Sequence, residues 1–449
     1  MGKASSGGKV ARVATAVVLI FAASAPVCAE DLVEVFMASK QSDPKYRAAR
    51  FEFEAASFAE PQARAALLPT VSFEYTKTRT DQNILSSNNA VFASGRSIYS
   101  TENQTLSLTQ PIFKLSAWRG YQQAKIKVRQ AAAVFSAAEQ DLMLRVATAY
   151  LGVLAARDAV TFAVAEKEAI QRQLDLVQQR FTSGLVAIAN LHDAKARSAV
   201  KDADLIAARN DLDDKMQALR EVSGKVFTRL KPLRDTIPLD QPQPNSIDHW
   251  VESALGQNLL LEARRQAVEI AQQEIGRQQA GHYPVVDLVV TQNRKDTGGS
   301  LFGGGSNVET ADLMVRISVP LYSGGLVSAL SGEAMKRYEG AREDLERDAR
   351  STERQARAAF QGVTGGVSRV QALAQGVTSA ESARELKVEG YKSGLETILQ
   401  VLDAERDLYA AKRDSARARY EFLLNRLRLK QAVGTLSEAD LDAMNRMMQ

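Results

Sequence analysis

Residues 105–130 read TLSLTQPIFKLSAWRGYQQAKIKVRQ. Leu106 and Leu108 alternate with Thr105, Ser107 and Thr109, the period-two pattern of a strand with one apolar face. Pro111 interrupts that pattern, and no proline follows until Pro232. Proline breaks helices because it lacks a donor and clashes with the preceding turn. The stretch 112–231 is instead rich in Ala, Leu, Gln, Glu, Lys and Arg, which lose least on becoming helical. The spacing therefore predicts a strand running into a very long helix from about 114 to 182.

The same junction occurs again. Gln110-Pro111-Ile112-Phe113 recurs as Val319-Pro320-Leu321-Tyr322, Leu68-Pro69-Thr70-Val71 as Tyr283-Pro284-Val285-Val286, and Ser183-Gly184-Leu185 as Ser393-Gly394-Leu395. The shifts are 209, 215 and 210 residues, the signature of a tandem duplication. Residues 321–449 also lack proline, predicting a second long helix near 323–391. Leu142, Val146, Tyr150, Val153, Ala156, Val160 and Val164 step by three or four, as do Ala416, Tyr420, Leu423 and Leu427. Such stripes pack against neighbouring helices and need no cofactor to explain them.

Each unit reads helix, strand, loop, strand, very long helix, Gly-containing break, helix. In the first, a helix over 31–66 precedes a strand with Val71, Phe73 and Tyr75 on one face and Ser72, Glu74 and Thr76 on the other. A polar loop with Asn83, Ser86, Ser87, Asn88, Asn89, Ser94 and Gly95 follows. In the second, Val286, Leu288 and Val290 alternate with Val285, Asp287 and Val289. Ala311, Leu313, Val315 and Ile317 then alternate with Asp312, Met314, Arg316 and Ser318. Gly298, Gly299, Gly303, Gly304 and Gly305 between them mark a flexible loop. They are no phosphate cradle, lacking the Gly-Lys-Ser/Thr ending and a following helix. The expected organisation is 30–235 as first repeat, 236–245 as a Pro-rich linker and 246–449 as second repeat.

Lys3, Lys9 and Arg12, an apolar run from Val13 to Ala23, and small residues around Val27 and Ala29 form a secretory signal peptide over 1–29. A lipidated Cys28 is the weaker reading, because Ala25-Pro26-Val27 lacks the Leu and small-residue pattern expected there. Cleavage after Ala29 would remove the only cysteine and three basic residues, taking the formal charge from +4 to +1. That balance argues against a nucleic-acid partner. No later uncharged apolar run reaches the roughly 18 residues of a spanning helix, which leaves β-structure as the route into a membrane.

Four strands cannot close a barrel, and open edges in lipid leave unpaired backbone groups. Two copies would give eight strands around a lumen filled by side chains, whereas three give twelve around an open one. Glu74, Asp287 and Arg316 on the polar faces favour three. At about 1.5 Å per residue the long helices extend roughly 100 Å, far beyond a hydrocarbon core of about 30 Å, and must project into the periplasm. The expected fold class is all-α with a transmembrane β-barrel contribution: a long α-helical coiled-coil barrel plus four β-strands per chain.

At this point a resemblance becomes specific. Phe181-Thr182-Ser183-Gly184-Leu185-Val186-Ala187-Ile188, its counterpart Tyr391-Lys392-Ser393-Gly394-Leu395 followed by Val401-Leu402-Asp403-Ala404, and Val433-Gly434-Thr435-Leu436 are similar to the TolC family of outer-membrane efflux and secretion proteins. The resemblance implies a homotrimer with a 12-stranded barrel in outer-membrane lipid. It also implies a helical tunnel across the periplasm, docked through a periplasmic adaptor (membrane fusion) protein to an inner-membrane ABC or proton-driven transporter.

It further implies a gate at the periplasmic tip. Carried over by position, Tyr391 with Asn190 is the gate pair, and Gln400 and Asp403 line the constriction. A ring of carboxylates there attracts cations and stores repulsion. This sequence departs from the best-known family pattern. Gln400 removes one acidic ring, Glu396 stands where a basic residue is usual, and Asn190 stands where an acidic one is. Glu396 opposite Ala189 cannot make the usual link, while Tyr391 can still hydrogen-bond Asn190. The expected gate is less cation-selective and less tightly latched. Gly184, Leu185, Gly394 and Leu395, within Ser183–Asn190 and Ser393–Gln400, are the expected tip contacts with the adaptor.

The alternative for Asp403 is a solvated helix-face carboxylate, a reading its repeat counterpart Asp193 supports, and the pore-lining reading is preferred. His192, His249 and His282 form no metal-ligand spacing. The chain carries no His-Glu-x-x-His, Gly-x-Ser-x-Gly or Walker motif and no cysteine nucleophile beyond the signal, so neither catalysis nor a cofactor is expected. The rival reading is a periplasmic coiled-coil adaptor, which shares the long helices but needs no amphipathic strands at equivalent points of two repeats. The resemblance lies closer to the family's protein-secretion members than to small-molecule efflux.

Overall fold

The computed structural model describes residues 30–86, 95–299 and 304–449. The signal peptide therefore lies outside the described residues, as do Ser87, Asn88, Asn89, Ser94 and Gly303 of the two loops. Asp31 starts α1 (Leu32–Ser42) with a capping box: its carboxylate accepts from the Glu34 N–H at 2.9 Å, and Glu34 accepts from the Asp31 N–H at 3.2 Å.

The single helix expected over 31–66 is three. Pro44 cannot donate back into α1, and a residue before proline is pushed out of the helical region. Asp43 accordingly sits at φ −62°, ψ 118° and caps α2 (Pro44–Ser57) by accepting from the Tyr46 N–H at 2.7 Å. A further break at Phe58 starts α3 (Ala59–Ala65).

Strands β1 (Thr70–Ile84), β2 (Gly95–Phe113), β3 (Val285–Thr297) and β4 (Ser306–Ser318) form one antiparallel sheet in the order β1-β2-β3-β4. Asn83, expected in the loop, extends β1 and pairs with Arg96. The register aligns Val71, Leu108, Val290 and Leu313 in one row across all four strands, flanked on the same face by Phe73 and Leu106 and by Leu288 and Val315. The neighbouring row on the opposite face is Ser72, Ser107, Thr291 and Asp312, and the next is Glu74, Thr105, Asn293 and Thr310. One face is greasy and the other polar because the side-chain period of a strand is two.

From β2 the chain enters α4 (Leu115–Thr182), turns at Gly184 and returns as α5 (Ile188–Ser223). After an extended segment with Pro238, Pro242 and Pro244, α6 (Ile247–Gln257), α7 (Leu259–Gln279) and a 3-10 turn (Ala280–His282) lead into β3. From β4 it enters α8 (Leu326–Lys392), turns at Gly394 and returns as α9 (Ile398–Val433), with a short α10 (Glu438–Asn445) at the end. The two returning helices are both 36 residues and the outgoing ones 68 and 67, so the duplication is visible in length as well as order.

The core lies where the hairpins meet. Leu142, Val146, Tyr150 and Leu151 of α4 pack with Phe422, Leu423 and Leu427 of α9 and Leu32 and Phe36 of α1. One stretch of α4 is apolar enough to cross a bilayer by composition alone. Its stripe is instead consumed by this core, where Val146, Tyr150 and Leu151 are fully buried. Gln140, also buried, donates to the carbonyls of Gly434 at 2.8 Å and Leu436 at 3.0 Å, fixing the exit from α9.

Candidate functional site: the hairpin tips and the constriction

Both hairpins turn by the same chemistry. Gly184 (φ 73°) and Gly394 (φ 79°) adopt the left-handed conformation that lets a helix stop without steric cost. The Leu185 N–H then reaches the Arg180 carbonyl at 2.9 Å, and the Leu395 N–H that of Gly390 at 2.8 Å. A Cβ on either glycine would meet nothing within 4 Å, so backbone angle and not space demands glycine here. The turns leave Leu185 73% and Leu395 85% exposed. Apolar side chains held at the end of a stalk have nothing of their own chain to cover them.

Just behind the turns one apolar cluster joins the hairpins: Ile170 and Val177 of α4, Leu191 and Ala194 of α5, Tyr391 of α8, and Ile398, Val401 and Leu402 of α9. Tyr391 is 6% exposed. Its hydroxyl has no hydrogen-bond partner among the described residues, so the expected bond to Asn190 is not made there. The ring is held instead by the cluster and by the Arg180 guanidinium, 4.4 Å from its centroid, a cation–π contact.

Gln400 is drawn back to its own helix start. Its Oε1 accepts from the Thr397 N–H at 2.7 Å and hydroxyl at 2.8 Å, while the Gln400 N–H reaches Thr397 Oγ1 at 3.4 Å. That is a capping box for α9. Glu396 forms an ion pair with Lys387 of α8 at 2.7 Å, a partner other than the residue 189 region considered from sequence.

Asp403 is neither solvated alone nor a bare carboxylate. Its Oδ1 lies 2.7 Å from Arg197 Nη1 of α5 and 3.5 Å from Arg406 Nη1 of its own helix. Its repeat counterpart Asp193 is exposed, as is His192. Deeper along the stalk Glu166 of α4, 2% exposed, lies 2.9 Å from Lys201 of α5 and 2.8 Å from Arg413 of α9. Burial pulls the Lys201 ammonium down, but Glu166 and Asp204 outweigh it and hold it above its ordinary range. Glu405 of α9, also buried, pairs with Arg384 of α8 at 2.7 Å. Cross-helix ion pairs thus stitch all four long helices behind the tip.

Sequence reasoning missed the cations around Asp403 and Glu166. Arg197 and Asp403 stand 206 residues apart, and no local pattern signals such a pair. The Gln400 cap was readable, as Thr-x-x-Gln. Among the described residues no group of three or more His, Cys, Asp or Glu is placed to hold a metal ion.

A sheet greasy on one face and polar on the other, open at both edges and mounted on hairpins of about 100 Å, defines one subunit of an outer-membrane exit duct with its helices in the periplasm. The profile of the outer membrane efflux proteins matches residues 37–225 and 250–435, and the chain belongs to that family. It is 34% identical to outer membrane protein TolC of Escherichia coli (strain K12) over 431 residues, 93% of this chain and 85% of the relative. It is 29% identical to the proteases secretion protein PrtF of Dickeya chrysanthemi over 413 residues, 91% and 89% of the two chains. The fold matches the outer membrane protein VceC of Vibrio cholerae with a TM-score of 0.77 at 21% identity, over 90% of this chain and 96% of that one. The adaptor reading is thereby excluded.

Proposed function

We propose that three copies assemble into one 12-stranded barrel and one continuous periplasmic tunnel. The tunnel takes cargo from an inner-membrane ABC or proton-driven transporter through a periplasmic adaptor that seats on Leu185 and Leu395. The carrying observation is the row Val71, Leu108, Val290 and Leu313, greasy across all four strands, in a sheet with two unpaired edges. Edges in lipid must be paired, and twelve strands leave a lumen that eight do not. Residues 30–235 and 246–449 are the two repeats of each copy, joined by 236–245, with 1–29 as the signal peptide.

The tip is the gate. Tyr391, Asn190, Glu396, Gln400 and Asp403 lie within its first turns, and each recurs three times around the axis. The Arg197 partner of Asp403 supports a constriction with less negative charge than a bare ring of carboxylates. Secreted protein is the favoured cargo, supported by the likeness to PrtF and to the alkaline protease secretion protein AprF of Pseudomonas aeruginosa, 29% identical over 92% of this chain. The test is a deletion strain assayed for proteins in the culture medium and for susceptibility to dyes and detergents. Loss of specific secreted proteins with unchanged susceptibility supports a secretion duct. Intact secretion with raised susceptibility moves the cargo to small molecules.

A further inference from the structure

Trp118 is 51% exposed on the first turn of α4, close to where the greasy face of the sheet ends at Phe113, Val286 and Ile317. Its ring lies 6.1 Å from that of Tyr121, and the Lys125 ammonium stands over the Tyr121 ring, 4.4 Å from the centroid. Arg119, also exposed, lies along α7, with Nη1 3.5 Å from Gln273 Oε1 and Nε 3.5 Å from where a Cβ on Gly276 would stand. Neither Arg119 nor Lys125 has a carboxylate at ion-pair distance among the described residues. The acid beside them, Glu60, accepts from the Tyr121 hydroxyl at 3.1 Å. One turn further from the sheet Arg129 is paired, with Glu269 at 3.1 Å. On this side of α4 the cations left without a carboxylate are therefore those nearest the sheet.

This side of α4 faces out of the stalk. The start of the helix is flanked by α3 and α7, which leaves one side toward the tunnel and one away from it. Tyr121 and Lys125 precede Tyr150 by 29 and 25 residues, about eight and seven turns of 3.6 residues, so all three share a side. There the Tyr150 hydroxyl donates to the carbonyls of Glu30 at 3.2 Å and Lys231 at 3.1 Å, and the ring packs in the core with Leu32 and Phe36 of α1. That added layer of chain would fill the bore if it lay inside, so it lies outside, and the Trp118 cluster with it.

Depth agrees with a headgroup layer. Trp118 and Arg119 lie about 5–6 Å past Leu115 along the helix axis, roughly the thickness of the polar zone on one side of a bilayer. Side chains on a helix lean toward its N-terminus, here toward the membrane, and Lys125 accordingly reaches back to Tyr121. The second repeat builds the same wall without this chemistry. A shift of 210 residues replaces Trp118, Arg119, Tyr121 and Lys125 by Ser328, Ala329, Ser331 and Met335, and a shift of 209 gives Val327, Ser328, Leu330 and Ala334.

We infer that Trp118, Arg119, Tyr121 and Lys125 bind the headgroup of an anionic phospholipid of the periplasmic leaflet, one site per copy. The orientation of the site rests on the duct proposed above, and the ligand goes beyond it. The Arg119 fork and the Lys125 ammonium meet the phosphate, and the two amphipathic rings hold the interface level.

Trp118 and Trp250 are the only tryptophans, so Trp250→Phe leaves Trp118 as a fluorescent reporter. The full chain with that change is placed in vesicles of phosphatidylethanolamine containing a minor share of phosphatidylglycerol, with bromine on the acyl chains of one lipid or the other. Its mass is measured by native mass spectrometry. Brominated phosphatidylglycerol should quench Trp118 well beyond its share of the lipid, and that preference should fall about fivefold for each cation removed, in Arg119→Gln and in Lys125→Gln. Lys127→Gln, on a different side of the helix, should keep it. Quenching in proportion to lipid share, or a preference unchanged in both cation variants, overturns headgroup recognition. A preference abolished by millimolar inorganic phosphate, but not by chloride at the same ionic strength, assigns the cations to a free anion and overturns the lipid reading. No quenching by either lipid, in protein of trimeric mass, turns Trp118 toward the tunnel and overturns the site while leaving the duct intact. Monomeric mass overturns the assembly from which the orientation follows.

Discussion

Arg197 of α5 donates to Asp403 of α9 at 2.7 Å, joining the two hairpins behind their tips. A carboxylate with a guanidinium at hydrogen-bond distance presents far less field to a passing ion than one alone. Arg197→Gln should therefore raise the cation preference of the pore, read as a shift in reversal potential across a KCl gradient. The shift should vanish in the double variant with Asp403→Asn. An unchanged potential in Arg197→Gln would put Asp403 away from the ion path.

Glu166 holds two cations from two other helices in a nearly dry site. Removing one partner of a buried ion group costs about 3–5 kcal/mol, and the lower end applies here because Arg413 reaches water. Glu166→Gln should destabilise the fold by about that amount, measured by thermal or denaturant unfolding in detergent, and should loosen α9 against α4 in hydrogen exchange. A loss under about 0.5 kcal/mol, as for a surface pair, would contradict the reading.

Gly434 and Gly394 both have left-handed backbones, but only one is crowded. A Cβ at Gly434 would lie 2.4 Å from the Gln257 carbonyl oxygen, while one at Gly394 meets nothing within 4 Å. Gly394→Ala should cost about 1–2 kcal/mol, the strain of a left-handed L-residue. Gly434→Ala should cost clearly more and lower assembly yield, since backbone must move. Equal unfolding midpoints for the two variants would defeat this comparison.

The stalk should also carry an acid limit. The hydrogen bond from Arg277, helped by Gln278 and Gln123 and opposed by burial, lowers the Glu274 carboxyl to about 2. A carboxyl depressed on folding contributes stability that is complete above its unfolded value of 4.5 and is lost as pH falls toward 2. Glu274→Gln should flatten that part of the stability–pH curve and leave neutral-pH behaviour little changed. A curve as steep as wild type would assign the acid loss to other carboxylates.

The parts legible in sequence are those set by local chemistry. Proline-free stretches of strong helix formers gave the long helices to within a few residues, and alternation gave the two faces of all four strands. Gly184 and Gly394 gave the turns because only backbone angle matters there. The break at Asp43–Pro44 was readable from the proline, which pushes the residue before it out of the helical region, yet the sequence reading ran one helix through it. The end of β2 was not legible, because Ile112 and Phe113 join the sheet only through the covering strand β3. The partners of Tyr391 and Asp403 were likewise illegible: each is fixed by how helices cross, and the Asp403 pair spans 206 residues, whereas Glu396 meets Lys387 within its own hairpin.

Single-channel recording of the purified protein in planar lipid bilayers tests the central claim most directly. The expected result is a water-filled pore with small openings in wild type and larger ones in Glu396→Ala, which removes the ion pair with Lys387 at the tip. Folded protein of trimeric mass that gives no ion conductance under any of these conditions would contradict an exit duct.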